Sequence, residues 1–103
     1  MAYKLIISDY ATDDLEEIIR YITENLSNPA AAASFMDEVE KCYENLAYMP
    51  AVYEQCQLPR FKKDGYRRAV IKNYVMVYRI NEAESKVIIL RFFYGSRDYE
   101  KYL

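Results

Sequence analysis

The apolar positions of the chain change period twice. Tyr3 to Ser8 alternates weakly and is rich in isoleucine, which predicts a short strand. From Asp9 to Leu26 the residues Ala11, Leu15, Ile18, Ile22 and Leu26 recur at steps of three and four. That spacing marks one face of an amphipathic helix. Ser8 can cap its start, and Asp13, Asp14, Glu16 and Glu17 lie early in it, toward the positive end of the helix dipole. Ser27-Asn28-Pro29 then interrupts the pattern, with Asn28 able to cap and Pro29 suited to a first helical position. A second helix is predicted to about Tyr48, with Ala32, Phe35, Val39, Cys42, Leu46 and Met49 on one face. Met49-Pro50 ends it, because the residue before a proline is pushed out of the helical region. The short turn between the two helices predicts an antiparallel hairpin.

Residues 50–65 read as a connecting loop closed by the turn signal Asp64-Gly65. Three strand patterns follow: Tyr66 to Lys72, Tyr74 to Ile80, and Lys86 to Tyr94, with a hairpin turn over Asn81 to Ser85. The last of these is the most apolar and reads as a central strand. The order β-α-α-β-β-β predicts one α+β domain over 1–103, a helix hairpin packed on one face of a small, mostly antiparallel sheet. The opposite face is expected to be open and polar. Tyr66, Tyr74 and Tyr78 are expected to pack in the sheet, Phe35, Val39 and Cys42 in the core, and Tyr21, Tyr43 and Tyr48 along the hairpin.

Composition narrows the chemistry. The chain has 103 residues and no histidine, which excludes Ser-His-Asp and Cys-His catalysis. Its two cysteines, Cys42 and Cys56, lack the spacing of a metal site and read as a buried thiol and a loop thiol. With two glycines, Gly65 and Gly95, there is no phosphate-cradling glycine loop. No apolar run reaches the ~18–20 residues of a membrane span, and a cytoplasmic protein with no metal and no small-molecule cofactor is expected.

Net charge conceals a division. Residues 1–57 carry three basic and eleven acidic side chains, whereas residues 58–103 carry eleven basic and five acidic. A basic half built on strands suits a polyanion or an acidic partner. Arg67, Arg68 and Lys72 fall on the strand after Gly65, Arg79 ends the next one, and Arg91 lies on the last, followed by Tyr94, Arg97, Tyr99 and Tyr102. Strand alternation places Arg68 and Lys72 on one face and Arg67 on the other, and Arg91 with Phe93 opposite Phe92 and Tyr94. Arginines that clamp phosphate, with groups able to move a proton to and from a ribose, could make a metal-independent ribonuclease. Surface ion pairs and strand packing account for the same residues, and this pattern alone does not separate the two.

Ser8 to Tyr21, Gly65-Tyr66-Arg67-Arg68, Asn73 to Ile80 and Arg91-Phe92-Phe93-Tyr94-Gly95-Ser96-Arg97-Asp98-Tyr99 together resemble the RelE/ParE superfamily of type II toxin–antitoxin toxins, which includes plasmid-stabilisation toxins, over nearly the whole chain. The resemblance implies a cognate antitoxin partner that wraps the toxin, with its groove as the alternative place for Tyr21, Tyr43 and Tyr48. It also implies a target: first messenger RNA on the ribosome, cut by a metal-independent endoribonuclease, with DNA gyrase, inhibited without cleavage, as the alternative. For the ribonuclease it implies Arg68, Tyr94 and Arg97 as catalytic residues, with Arg67, Lys72, Arg91, Tyr99 and Tyr102 binding RNA. Two departures stand against that arm. Val75 occupies the position after the strand-opening tyrosine where the ribonucleases carry arginine, and Tyr94 stands where other members often carry histidine.

Overall fold

The computed structural model describes residues 2–56 and 62–95. Strand β1 (Lys4–Ile7) leads through Ser8 into helix α1 (Asp9–Arg20), which continues as a π-helical turn over Tyr21–Asn25. Helix α2 (Pro29–Tyr48) returns antiparallel, and a short 3-10 turn (Pro50–Val52) delivers the chain to β2 (Glu54–Gln55). Strands β3 (Tyr66–Ile71), β4 (Tyr74–Asn81) and β5 (Lys86–Tyr94) complete a five-stranded sheet in the order β1-β5-β4-β3-β2. The α+β arrangement expected from the sequence is the one observed. β5 is central, paired in parallel with β1 and antiparallel with β4.

Both predicted caps are present. Ser8 Oγ accepts the Ala11 N–H at 3.0 Å, and Asn28 Oδ1 accepts the Ala31 N–H at 3.1 Å. The main core lies between the helices and one sheet face. Ala11, Ile18 and Ile22 of the first helical segment and Ala32, Phe35, Val39, Cys42 and Leu46 of α2 meet Ala69, Ile71, Tyr74, Met76, Tyr78, Ile80, Val87, Ile89 and Phe92. Tyr78 is fully buried, and its hydroxyl donates to the Pro50 carbonyl at 2.7 Å, tying the centre of β4 to the turn after α2.

Four expectations need correction. The first helix does not stay regular to Leu26: the Leu26 N–H bonds the Tyr21 carbonyl, five residues back. The wider turn rotates Leu26 off the apolar stripe, and it is exposed. Lys72 is not on a strand. It sits in the β3–β4 turn with a left-handed φ of 55°. The segment read as a loop carries the 3-10 turn, β2 and a helical turn at Lys62, and within it Cys56 is buried. Finally, the sheet face away from the helices is not simply polar. Cys56, Val75, Val77 and Phe93 form a second buried apolar cluster there, with Tyr66 and Leu90 against it.

Candidate functional site

The registers of β3, β4 and β5 fix where the basic residues stand. Arg68 pairs with Val77, and Val77 pairs with Arg91, so one row across the face away from the helices reads Arg91, Val77, Arg68. At about 4.8 Å per strand, the two arginines are anchored about 10 Å apart. Val75 and Phe93 form the next pair on this face. Val75 is buried, so an apolar side chain fills the position where the resemblance led an arginine to be expected of a ribonuclease.

Tyr94 lies on the other side of the sheet. A register irregularity between Val77 and Tyr78 leaves Leu90 as the extra residue of β5, and beyond it Phe92 pairs with Met76 and Tyr94 with Tyr74. The Tyr94 ring stands edge-on to Tyr74, with centroids 5.5 Å apart, and Tyr74 in turn stands edge-on to Phe35 at 5.2 Å. Arg68 and Tyr94 are therefore not brought together. Arg97, Tyr99 and Tyr102 lie outside the described residues.

Arg67, Arg79 and Arg91 are engaged within the fold, Arg79 Nε donating to the Asp64 carbonyl at 2.9 Å. Arg67 points to the helix side and donates to the Tyr53 carbonyl at 2.6 Å. Arg91 forms a two-pronged ion pair with Asp14 of α1, Nε to Oδ2 at 2.8 Å and an Nη to Oδ1 at 3.0 Å. Its guanidinium also lies over the Tyr10 and Phe93 rings. The Asp14 contact holds the Arg91 charge above the already high range of arginine. Asp14 Oδ2 additionally accepts the Phe92 N–H at 3.0 Å. The reason is topological. β1 pairs with β5 only as far as Ile89, so among the described residues the later N–H groups on that edge of β5 have no strand beside them. Ser8 Oγ donates to the Leu90 carbonyl there, and Asp14 receives the Phe92 donor.

Asp14, Glu17, Ile18 and Tyr21 from the helical side and Tyr74, Arg91, Phe92, Phe93 and Tyr94 from the sheet line a cleft of about 570 Å³. Burial raises the pKa of the Tyr74 phenol, and the nearby phenols of Tyr21 and Tyr94 raise it further. Asp14 and Glu17 carry no site expectation from the sequence, whereas Tyr21 is expected along the helix hairpin or the antitoxin groove. A signal for Asp14 was present: it falls three residues after Ala11 and four before Ile18, a charge on the apolar side of the helix, where a partner is required. The cysteines show no chemistry of this kind. Burial raises the pKa of the Cys42 thiol, and Cys42 Sγ accepts the Tyr53 hydroxyl at 3.3 Å. Among the described residues no cluster of acidic residues or cysteines could hold a metal ion, and no helix is long and apolar enough to cross a membrane.

In this chain a helix hairpin packs on one face of a mixed sheet whose first and last strands pair in parallel. This fold is shared with the RelBE2 toxin–antitoxin complex of Mycobacterium tuberculosis, at 22% identity and TM-score 0.64 over 91% of this chain and 99% of that one. A chromosomal ParDE system of P. aeruginosa is similar at 16% identity and TM-score 0.72, covering 92% and 98% of the two chains. The archaeal RelE–RelB complex of Pyrococcus horikoshii is similar at 15% identity and TM-score 0.65, covering 94% and 99%. No curated protein matches the chain in sequence. The sequence model of the ParE toxin of type II toxin–antitoxin systems matches residues 5–99, and the chain belongs to that family.

Proposed function

We propose that this toxin arrests growth by binding a protein target, DNA gyrase, and not by cutting RNA. The observation that carries this reading is the buried Val75. A metal-independent ribonuclease needs phosphate clamps and proton-transfer groups on one surface. The face that holds Arg68 has an apolar side chain at the clamp position, and Tyr94 opens on the opposite side of the sheet. Arg91 is neutralised by Asp14, and Arg67 is spent on a backbone carbonyl. The match to the ParE toxin family supports the same reading.

We further propose a cognate antitoxin as the partner that silences the toxin. The relatives from M. tuberculosis and P. horikoshii are complexes of toxin with antitoxin, and the basic half of the chain suits an acidic wrapping segment.

The test is induction of the chain in a bacterial host, with methionine, uridine and thymidine incorporation followed over the first minutes. An early block in thymidine incorporation with a DNA-damage response is expected. An early collapse of methionine incorporation with shortened messenger RNA would overturn the proposal and establish the ribosome-dependent nuclease. In that event Arg68, Tyr94 and Arg97 become the residues to substitute. Arg97→Ala would then abolish cleavage while leaving antitoxin binding intact.

A further inference from the structure

The cleft between α1 and the end of β5 plays no part in the function proposed above, and its lining has a definite chemistry. Tyr21, Tyr74 and Tyr94 supply aromatic surface, Ile18 and Phe92 are apolar, and Glu17 stands among them. Asp14 and Arg91 also line it, but they satisfy each other, and the second role of Asp14 is to hold the Phe92 N–H. Among the described residues Glu17 makes no salt bridge; its charge reaches Arg91 at longer range, and Asp14, Glu17 and Arg91 together leave the lining with one net negative charge. Tyr94 is 61% exposed and Tyr21 47%, so two of the three rings are open to a ligand.

A carboxylate among tyrosine rings suits a cation with an apolar stem. Ring faces attract cations, a carboxylate pairs with them, and a planar guanidinium does both while its methylenes lie against apolar surface. The surrounding charge favours the same occupant. The segment from Asp9 to Arg20 carries Asp9, Asp13, Asp14, Glu16 and Glu17 against Arg20, a field that draws in a basic segment. We propose that the cleft is a docking site for an arginine side chain carried on a basic segment of a partner protein. The cleft lies where α1 meets the ends of β4 and β5, and the assignment does not depend on which target the toxin attacks. Glu17 pairs with the guanidinium, Tyr21 and Tyr94 flank it, and Tyr74, braced by Phe35, holds Tyr94 in place.

The experiment is a titration of isotope-labelled protein with three blocked tripeptides, Gly-Arg-Gly and its norleucine and glutamate counterparts, followed by NMR. The arginine peptide is expected to move the ring resonances of Tyr21, Tyr74 and Tyr94 saturably, with a Kd on the order of 1 mM for so small a probe. The norleucine and glutamate peptides should bind at least several-fold more weakly. Glu17→Gln, an exposed position on α1, is expected to weaken arginine binding by about tenfold, with the amide spectrum otherwise preserved. Tyr94→Phe should keep binding and Tyr94→Ala should lose it. Equal binding of the norleucine peptide would overturn the proposal and make the cleft an apolar groove. Absence of any saturable shift would overturn it outright. Concentration-dependent shifts of the cleft resonances without peptide would also overturn it, by showing a second copy of this chain as the occupant.

Discussion

The Asp14 carboxylate receives both prongs of the Arg91 guanidinium and, in addition, the backbone N–H of Phe92. One side chain of α1 thus finishes the edge of β5 that β1 leaves bare, and it does so from a largely buried position.

Asp14→Ala is therefore expected to cost about 2–4 kcal/mol, since it strands a half-buried cation and a backbone donor together. Arg91→Ala should cost less, because Asp14 keeps the Phe92 N–H. Urea denaturation of both single variants and the double variant checks this. A double variant as damaging as the sum of the singles would show that the two residues do not act as a pair.

Gly65 has a φ of +84°, and a Cβ built there would stand 2.7 Å from the Ile80 carbonyl oxygen. Gly65→Ala combines a left-handed backbone with a backbone clash. It should destabilise by roughly 2 kcal/mol or more. An unchanged urea midpoint would refute the close approach of these two segments.

Lys72 is the converse case. It holds a φ of 55° in the β3–β4 turn without the freedom of glycine. Lys72→Gly is expected to raise stability by about 0.5–1 kcal/mol, read as a higher melting temperature.

Two buried phenols should answer the same substitution in opposite ways. Tyr78→Phe removes the donor to the Pro50 carbonyl and should cost about 1–2 kcal/mol. The Tyr43 hydroxyl is buried with no hydrogen-bond partner among the described residues, so Tyr43→Phe should be neutral or stabilising by up to about 1 kcal/mol. Thermal melts of the two variants side by side decide it.

These phenols also set an alkaline limit. Burial pushes the Tyr43 phenol up to about 12 and raises that of Tyr78 as well. An unfolded tyrosine ionises near pH 10. A raised folded value means that the folded chain holds its proton longer, so the associated stability is intact below about pH 10. It is lost as the pH rises from there through about 12. Unfolding midpoints measured from pH 8 to 12 should fall only in the upper part of that range, and Tyr43→Phe should lessen the fall.

The element order, both helix caps and the central place of the last strand were legible in the sequence, because each follows from local pattern: period, capping residue, apolar run. What was not legible depends on contacts distant along the chain. The burial of Cys56 and Val75 rests on strands that meet only in the folded sheet. The π-helical turn at Tyr21 is a distortion of a helix whose period otherwise reads as regular. The site residues show the same division. Alternation placed Arg67 and Arg68 on opposite faces, and Arg91 with Phe93. The register irregularity at Leu90, which carries Tyr94 to the helix side beyond the reach of Arg68, cannot be read from alternation alone.

The parallel pairing of β1 with β5 also has a consequence for synthesis. The strand that joins β1 to the rest of the sheet is made after β1, both helices, β3 and β4. A nascent chain that has not yet reached residue 86 holds β1 and the β3–β4 hairpin with a gap between them. It lacks Val87, Ile89 and Phe92 from its core and offers no partner for Asp14. Closure of the sheet and of the main core therefore waits on residues 86–94, far along the chain from the β1 strand they pair with.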